Sequence, residues 1–346
     1  MTFPLIAIIG AFSLGVTWLT VGWAAAWLRT RQVLDVPNER SSHSSPIPRG
    51  GGLAIVALSL LGLLGLAWRS PSPAGWRILL VVAGGLIIAW VSFVDDMRGV
   101  ATSVRLTVQV AVAVLSMLAF GPWSVLELGS RKILLHAGVA GLLTLVWIVG
   151  LTNAYNFMDG IDLMAAGQTV AAGLGWALLG ALGGAPELMV VGTVVSFAAI
   201  GFAIHNRPPA SIFMGDVGSA FLGYLFATLC LWGGQTSPLL ATCGALLVWP
   251  FVFDTSFTFL RRLRRNEPVF SAHRSHLYQR LVITGLSHGK VSGIYAALDA
   301  IGIACAVALL LKFPGAATLT WIALFLSAAG LWLLVVLREK TLTAPD

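Results

Sequence analysis

The sequence is poor in charge and in cysteine. Only 10% of its 346 residues are Asp, Glu, Lys or Arg, whereas 58% are hydrophobic, and the mean hydropathy is +0.89. A soluble domain of this length does not need so much apolar surface, so the composition indicates a polytopic membrane protein. The three cysteines, Cys230, Cys243 and Cys305, lie inside apolar runs, and their spacing suits neither a metal site nor a disulfide framework.

Other features are also missing. The net charge is +7, but the basic residues form no single patch, so we predict no nucleic-acid partner. The sequence shows no soluble domain and no convincing internal repeat. The first apolar run, residues 5–28, lacks a basic segment before it and is followed by Arg29 and Arg31. We therefore expect a retained membrane anchor and not a cleaved signal.

Apolar runs of about twenty residues predict about eleven transmembrane helices. They are centred near residues 16, 60, 85, 111, 142, 172, 196, 225, 247, 301 and 327. With the N-terminus outside, 16 of the 21 Lys and Arg residues face the inside. The positive-inside rule thus predicts a periplasmic N-terminus and a cytoplasmic C-terminus. The predicted fold is all-α, with residues 1–346 forming one integral-membrane domain.

This orientation places five polar segments on the cytoplasmic side. They are the loops at about residues 29–52, 95–100, 153–162, 205–216 and 261–290. The connections on the other side are short and plain. The one-sided distribution predicts an enzyme whose active site lies at the cytoplasmic face and receives a cytosolic substrate.

The most informative segment, residues 153–162, follows the apolar run 133–151. It presents two carboxamides and two carboxylates at three-residue steps: Asn153, Asn156, Asp159 and Asp162. Residues three apart on a helix are neighbours, so we expect Asn153 beside Asn156, and Asp159 beside Asp162. Carboxylates at a membrane boundary are costly and usually functional, although a polar helix cap is the alternative.

Two further sites carry carboxylates. Asp95 and Asp96 are adjacent, and their mutual repulsion favours a hard divalent cation such as Mg²⁺ bound through oxygen. The alternative is a charged helix end paired with Arg98. Asp216 lies between glycines before a predicted span, where it would be a metal ligand or the N-cap of that helix.

Basic residues supply the opposite charge. Arg49 precedes three glycines, whose backbone can approach a phosphate closely while the guanidinium binds it in a bidentate fork. An ordinary basic loop is the alternative. Arg274 and His276 suit a diphosphate and its leaving group, although a histidine in such a place can also be structural. Asp254 and Asp299 lie in predicted spans and receive no role. Together, these residues are typical of metal-assisted phosphoryl transfer.

Five motifs in this order resemble a known family, the polyprenyl-phosphate N-acetylhexosamine-1-phosphate transferases of glycosyltransferase family 4. The match covers nearly the whole chain and is nearest the branch that initiates O-antigen synthesis. The motifs are P-x-x-R-S-S-H…P-x-P-R-G-G-G at 37–52, D-D at 95–96, N-x-x-N-x-x-D-G-x-D at 153–162, F-M-G-D-x-G-S at 213–219 and R-x-H at 274–276.

The resemblance implies a reaction at the bacterial inner membrane. A UDP-N-acetylhexosamine would donate its sugar 1-phosphate to undecaprenyl phosphate, with release of UMP. The donor would be UDP-GlcNAc or a 6-deoxy relative such as UDP-FucNAc or UDP-QuiNAc. Mg²⁺ would be the cofactor, with Mn²⁺ as a substitute. The partners would be these two substrates and the lipid bilayer, and a homodimer is left open.

The resemblance also implies roles for single residues. Asp216 would be the main Mg²⁺ ligand, with Asp96 beside it. Asp95 and Asp96 would lie by the lipid phosphate, with Asp95 favoured as the acceptor's base or as a covalent nucleophile. His276 would act near the diphosphate. The residues predicted to bind substrate are Arg49, Asn153, Asn156, Asp159, Asp162 and Arg274.

Two departures from the family pattern bear on the substrate. The translocase of peptidoglycan synthesis has a lysine where this chain has Gly99, and further histidines where it has Tyr278 and Gln279. Both differences argue against a muramoyl-pentapeptide donor, which is the first alternative. The second is a transporter of lipid-linked sugars. Transporters place ionisable residues near the membrane midplane, where only Asp299 is expected here.

Overall fold

The computed structural model describes residues 2–32, 34–35, 46–128, 131–268 and 273–343, and this part of the chain is nearly all helical. The helices are α1 (Phe3–Thr30), α2 (Gly52–Arg69), α3 (Ala74–Arg98), α4 (Thr102–Phe120), α5 (Ala137–Met158), α6 (Met164–Leu182), α7 (Pro186–Asn206), α8 (Asp216–Thr236), α9 (Pro238–Leu246), α10 (Trp249–Arg264), α11 (Leu277–Ile283), α12 (His288–Leu310) and α13 (Ala316–Thr343).

Ten of the described helices are long and apolar enough to cross a membrane. The pair α9 and α10 forms an eleventh candidate span that bends by 69°. The prediction of a helical, polytopic protein with about eleven spans is therefore confirmed.

Two small antiparallel sheets in the described ranges depart from the all-α prediction. Strands β1 (Leu34–Asp35) and β2 (Ile47–Pro48) pair, as do β3 (Val125–Leu128) and β4 (Arg131–Leu134). Strand β4 takes the first apolar residues that the sequence assigns to span five. Helix α5 therefore begins at Ala137 and not at residue 133.

Helix α8 lies at the centre of the bundle, where it packs against α2, α3, α4, α5, α6 and α9. Nearly every residue from Val217 to Leu231 is buried. Glycines permit the close approach of the neighbouring backbones: a Cβ on Gly223 would lie 2.5 Å from the carbonyl oxygen of Leu151. The first residue of this central helix is Asp216, which is thereby placed in the middle of one end of the bundle.

The helices extend further into the predicted polar loops than expected. Helix α3 continues through Asp95 and Asp96, and α5 continues through Asn153 and Asn156. These four side chains therefore stand on helix ends, which fixes their directions better than a loop would. Residues 33, 36–45 and 269–272 of the predicted loops lie outside the described part.

The ninth span is broken. Helix α9 ends at Leu246 and α10 begins at Trp249, with Pro250 in its first turn. Proline lacks an N–H and cannot continue a helical hydrogen-bond ladder. The side chain of Gln168 donates to the carbonyl oxygen of Leu247 at 2.8 Å, which satisfies a backbone group freed by the break. The break changes the direction of the span by 69° between α9 and α10.

Candidate active site

Two glycine-rich segments are joined by their backbones. The N–H of Phe213 donates to the carbonyl of Pro48 at 2.8 Å, and the carbonyl of Phe213 accepts from Gly50 at 3.1 Å and Gly51 at 2.9 Å. Gly215 has φ +82°, in the left-handed region that favours glycine. This pairing brings the motif before α2 against the motif before α8, although the two are far apart in sequence.

The backbone pairing places Arg49 between two carboxylates. Its Nε lies 3.0 Å from Oδ1 of Asp96, and its Nη2 forms a close ion pair with Oδ1 of Asp216. Asp96 also accepts from the backbone N–H groups of Asp216 and Val217, each at 3.1 Å. Asp96 therefore caps the N-terminus of α8. The N-cap alternative for Asp216 is wrong, because Asp216 is the first residue of the helix.

A second arginine, Arg105 on α4, completes the cluster and is not among the predicted site residues. It forms a close ion pair with Oδ2 of Asp95 and lies 3.7 Å from Oδ2 of Asp216. The other oxygen of Asp95 accepts from the N–H of Val100 at 2.7 Å. Arg98, the alternative partner from the sequence, is exposed. The sequence held one signal for Arg105: it is a basic residue at the start of the span after Asp95, on the same predicted side of the membrane.

Negative charge exceeds positive charge in this cluster. Burial lowers the pKa of Arg49, but the nearby carboxylates, Asp216 and Asp96 foremost, outweigh burial and raise it. Asp159 is half-buried, and burial raises its pKa well above the usual range. Arg49 opposes this rise in the pKa of Asp159, whereas Asp216 and Asp96 add to it. The cluster therefore favours a further cation.

The donor set is compatible with Mg²⁺. Among the residues that the structure describes, no group of three or more His, Cys, Asp or Glu side chains is arranged to bind a metal ion. Mg²⁺ does not need such a cage, because it commonly takes one or two carboxylates and completes its shell with water and substrate phosphates. Asp96 and Asp216 already share one guanidinium cation. Their oxygens are hard ligands directed at a common positive charge.

The two asparagines of α5 contact different neighbours. Nδ2 of Asn156 donates to Oγ of Ser219 at 3.3 Å, which places it beside the first turn of α8. Nδ2 of Asn153 donates to Oε1 of Gln109 at 2.6 Å and to the carbonyl of Val149 at 2.7 Å. Asn156 thus lies next to the carboxylate cluster, while the amide of Asn153 is engaged with α4.

The prediction that Asp159 and Asp162 are neighbours on one helix is wrong, because α5 ends at Met158 and α6 begins at Met164. Asp162 is buried, its Oδ2 accepting from the N–H of Ala210 at 3.2 Å and lying 3.3 Å from Nδ1 of His288. These contacts fasten the α5–α6 connection to the α7–α8 connection and to α12. The structure thus places Asp162 in a packed network, and its substrate-binding role remains a prediction.

His276 contacts Asp254, an acid for which the sequence predicted no role. Its Nδ1 lies 3.3 Å from Oδ1 of Asp254, and its ring stacks on that of Tyr278. The hydroxyl of Tyr278 donates to the carbonyl of Phe157 at 2.9 Å. The histidine segment is therefore docked on the end of α5. Arg274, half-buried, comes directly before this turn.

Two apolar grooves open beside these polar groups. The α1–α3 groove, of about 720 Å³, has walls that include Val21, Leu28 and Phe93, and it reaches Arg49 and Asp96. The α5–α10 groove, of about 540 Å³, has walls of residues such as Leu143, Val146 and Phe259, and it reaches His273 and His276. An apolar groove that ends at charged groups suits a ligand with an apolar chain and a polar head.

Comparison with known proteins decides the family. A sequence model described as Glycosyl transferase family 4 matches residues 78–234, the stretch that contains Asp95, Asp96 and Asp216. The chain is 34% identical over 260 residues to the probable undecaprenyl-phosphate N-acetylglucosaminyl 1-phosphate transferase of Bacillus subtilis strain 168, which covers 74% of this chain and 71% of the relative. The chain belongs to glycosyl transferase family 4.

Other relatives of this family 4 enzyme extend the match. The decaprenyl-phosphate N-acetylglucosaminephosphotransferase of Mycolicibacterium smegmatis is 30% identical over 321 residues, 82% of this chain and 77% of the relative. A phospho-N-acetylmuramoyl-pentapeptide-transferase of Gloeothece citriformis is 26% identical over 288 residues, 79% of this chain and 78% of the relative. The resemblance to the polyprenyl-phosphate hexosamine-1-phosphate transferase family and the prediction of a transferase enzyme are both confirmed.

The close contact between the two glycine segments gives a stability prediction for the family 4 enzyme. A Cβ on Gly52 would lie 2.6 Å from the Cα of Gly218, which is backbone and cannot move aside cheaply. We expect Gly52→Ala to destabilise the protein by about 1–3 kcal/mol, as overpacking does, and to reduce activity by displacing Arg49. Thermal unfolding in detergent measures the first effect, and product release measures the second.

The control is Gly65→Ala in the same helix, where an added Cβ meets nothing within 4 Å. Alanine is the better helix former, so this variant should match or slightly exceed the wild-type Tm. A wild-type Tm and full activity for Gly52→Ala would contradict the packing described here.

Proposed function

We propose that this enzyme transfers N-acetylhexosamine 1-phosphate from a UDP-sugar to undecaprenyl phosphate, releasing UMP and forming undecaprenyl-diphospho-sugar. The observation that carries the proposal is the cluster of Asp95, Asp96 and Asp216 with Arg49 and Arg105 at one end of a membrane bundle. Phosphoryl transfer depends mainly on positioning and on charge stabilisation, which such a cluster provides. Relatives named for the transfer of N-acetylglucosamine phosphate to a polyprenyl phosphate support it.

The proposed reaction is one displacement at phosphorus. An oxygen of the lipid phosphate bonds to the phosphorus that carries the sugar, and the bond from that phosphorus to the bridging oxygen breaks, so that UMP leaves. Arg49 and Arg105 bind the phosphate oxygens. Asp95, oriented by Arg105 and by the N–H of Val100, takes the proton of the acceptor phosphate. Asp216 and Asp96 would hold Mg²⁺, which supplies neutralisation of phosphate charge.

The proposed donor is UDP-GlcNAc or a 6-deoxy relative, and the proposed pathway is O-antigen or a related envelope polysaccharide. Gly99, Tyr278 and Gln279 depart from the pattern of the peptidoglycan translocase, which argues against a muramoyl-pentapeptide donor. The Bacillus relative, named for N-acetylglucosaminyl 1-phosphate transfer, is 34% identical, against 26% for the pentapeptide transferase from Gloeothece. At similar coverage of this chain, the higher identity to the Bacillus relative supports a donor without a peptide.

We also propose that the polar end of the bundle faces the cytoplasm of a bacterial inner membrane, with the N-terminus on the opposite side. The distribution of 16 of 21 basic residues supports this orientation. The UDP-sugar would then reach the carboxylate cluster from the cytosol, and the acceptor would reach it from the bilayer.

The experiment is UMP release by the purified protein in detergent with Mg²⁺ and undecaprenyl phosphate. The donors are UDP-GlcNAc, UDP-GalNAc, their 6-deoxy forms and UDP-muramoyl-pentapeptide. We expect turnover of an N-acetylhexosamine donor that requires both the lipid and the metal, and none with the pentapeptide donor. Inverted membrane vesicles should use external UDP-sugar, whereas right-side-out vesicles should not.

Three results would count against the proposal. Turnover of UDP-muramoyl-pentapeptide would assign the enzyme to the peptidoglycan reaction. UMP release without the lipid would mean hydrolysis and not transfer. A folded protein that releases no UMP from any donor in the panel, yet moves a lipid-linked sugar, would favour transport.

A further inference from the structure

Asp254 on α10 is fully buried, and hydrogen-bond donors face both of its carboxylate oxygens. A buried carboxylate is costly unless its oxygens are satisfied, and here both are. Oδ1 accepts from the Leu277 N–H at 2.9 Å and the Thr258 hydroxyl at 3.1 Å, with His276 Nδ1 at 3.3 Å, and Oδ2 accepts from the Tyr278 N–H at 3.1 Å and the Tyr295 hydroxyl.

This arrangement favours the tautomer of His276 that carries its proton on Nδ1. An ionised carboxylate can only accept, so the ring nitrogen that faces it, Nδ1, must carry a proton. The second ring nitrogen, Nε2, is then the one that remains for another partner. The hydrogen bond to Asp254 therefore selects one tautomer of the neutral imidazole.

The orientation of the ring is fixed as well. The ring of His276 contacts three other rings, with centroid distances of 5.0 Å to His273, 5.9 Å to Tyr278 and 6.2 Å to Phe157. Tyr278 is anchored through its hydroxyl to the carbonyl of Phe157. His276 lines the α5–α10 groove, together with Asn153 and Phe157. With Nδ1 bound to Asp254, Nε2 is the nitrogen that His276 can offer to a ligand in that groove.

We propose that Asp254 is a positioning residue: it holds His276 in the Nδ1–H tautomer, so that Nε2 is available to the diphosphate of the donor. The inference rests on the proposed function, because the ligand of His276 is the donor's diphosphate. It adds a residue from the broken ninth span to the site. Asp254 stands on α10, the second half of that span, after the break at Leu247 and Val248, and it contacts the histidine segment.

A double-mutant cycle separates positioning from a merely structural role, in which Asp254 only anchors the start of α11. Asp254→Asn can donate its amide to Nδ1 and thereby select the wrong tautomer. We expect this variant to lower kcat about 10–10²-fold with a smaller change in KM for the UDP-sugar, as loss of a buried orienting partner does. In a His276→Ala background the same change should lower kcat by less than about twofold, because coupled residues are not additive.

Tyr295→Phe is the matched control. It removes one donor from Asp254 on the side away from His276, and so should lower kcat far less than Asp254→Asn. Equal factors for Asp254→Asn in the wild-type and His276→Ala backgrounds would overturn the proposal, since additivity indicates a role that does not pass through His276.

A second measurement, of nitrogen chemical shifts, is made on the wild-type protein. It needs only one variant, His276→Ala, which identifies the signal of His276 by its loss. In ¹⁵N-histidine-labelled wild-type protein, we expect His276 to show a protonated Nδ1 and an unprotonated Nε2. The opposite tautomer would overturn the proposal. Because this readout does not depend on turnover, an inactive wild-type protein with the expected tautomer would contradict the proposed function and leave the Asp254–His276 contact standing.

Discussion

Replacing Asp216 with asparagine is expected to reduce UMP release by about 10²–10³-fold at saturating Mg²⁺ and substrates, the effect of losing one preorganised charge interaction in an active site. Asp216 stands first in the central helix, pairs with Arg49 and lies 3.7 Å from Arg105. Asparagine keeps the shape of the side chain but removes the negative charge. The cluster then loses both a proposed Mg²⁺ ligand and the group that orients two arginines.

Asp299→Asn is the matched control, because it makes the same chemical change at a buried acid in α12, which is not part of the cluster. Its turnover should remain close to that of the wild type. Binding of Mn²⁺, followed by electron paramagnetic resonance, should weaken in Asp216→Asn and not in Asp299→Asn. Wild-type turnover by Asp216→Asn, or unchanged Mn²⁺ binding, would remove Asp216 from the metal site.

The membrane spans could be predicted because the bilayer leaves the chain few choices. Every backbone polar group inside it must be satisfied locally, so long apolar runs become helices. The break in the ninth span could not be predicted from hydropathy. An apolar run continues across Leu247 and Pro250, and what permits the break there is a tertiary contact, the hydrogen bond from Gln168 on α6. Strand β4 was missed for a related reason. Ile133 and Leu134 are apolar, so hydropathy assigned them to the start of the fifth span.

The site divides in the same way. Arg49, Asp96 and Asp216 lie in glycine-rich or paired-acid motifs, and these motifs were enough to predict a phosphate-binding or metal-binding role. Arg105 and Asp254 stand singly on helices, in sequence surroundings that carry no such pattern. Only packing shows that Arg105 reaches Asp95 and that Asp254 reaches His276. The expected pairing of Asp159 with Asp162 on one helix was wrong because α5 ends at Met158. The chain then passes close to Tyr278, since a Cβ on Gly160 would lie 2.1 Å from Oη of Tyr278.

The contacts of the two arginines suggest how the cluster would accommodate a diphosphate. Each guanidinium contacts carboxylates, so the two arginines neutralise part of the charge of the three carboxylates. An arriving diphosphate brings negative charge that competes with the carboxylates for the arginines. The carboxylates would then become available to a metal ion, and the arginines to phosphate oxygens, which a guanidinium can bind in a bidentate fork. Both arginines are therefore expected to contribute to substrate binding and to catalysis.

Arg105→Ala tests this exchange, with Arg98→Ala as a control that removes the same charge seven residues earlier in the chain. Arg98 is exposed, whereas Arg105 pairs with Asp95. We expect Arg105→Ala to lower kcat/KM about 10²-fold, which is the loss of one or two charge-assisted hydrogen bonds. Arg105→Lys should retain part of the activity, because lysine keeps the charge but not the planar fork.

Arg98→Ala should lower kcat/KM only slightly, and any loss should fade as salt is raised, because exposed charges act through a screened field. The loss in Arg105→Ala should persist at high salt, since it reflects a direct contact. Equal losses in both alanine variants that vanish together at high salt would mean that net charge attracts the UDP-sugar to this face. In that case Arg105 would have no specific place in the site, and the proposed exchange between carboxylates and phosphates would have to be abandoned.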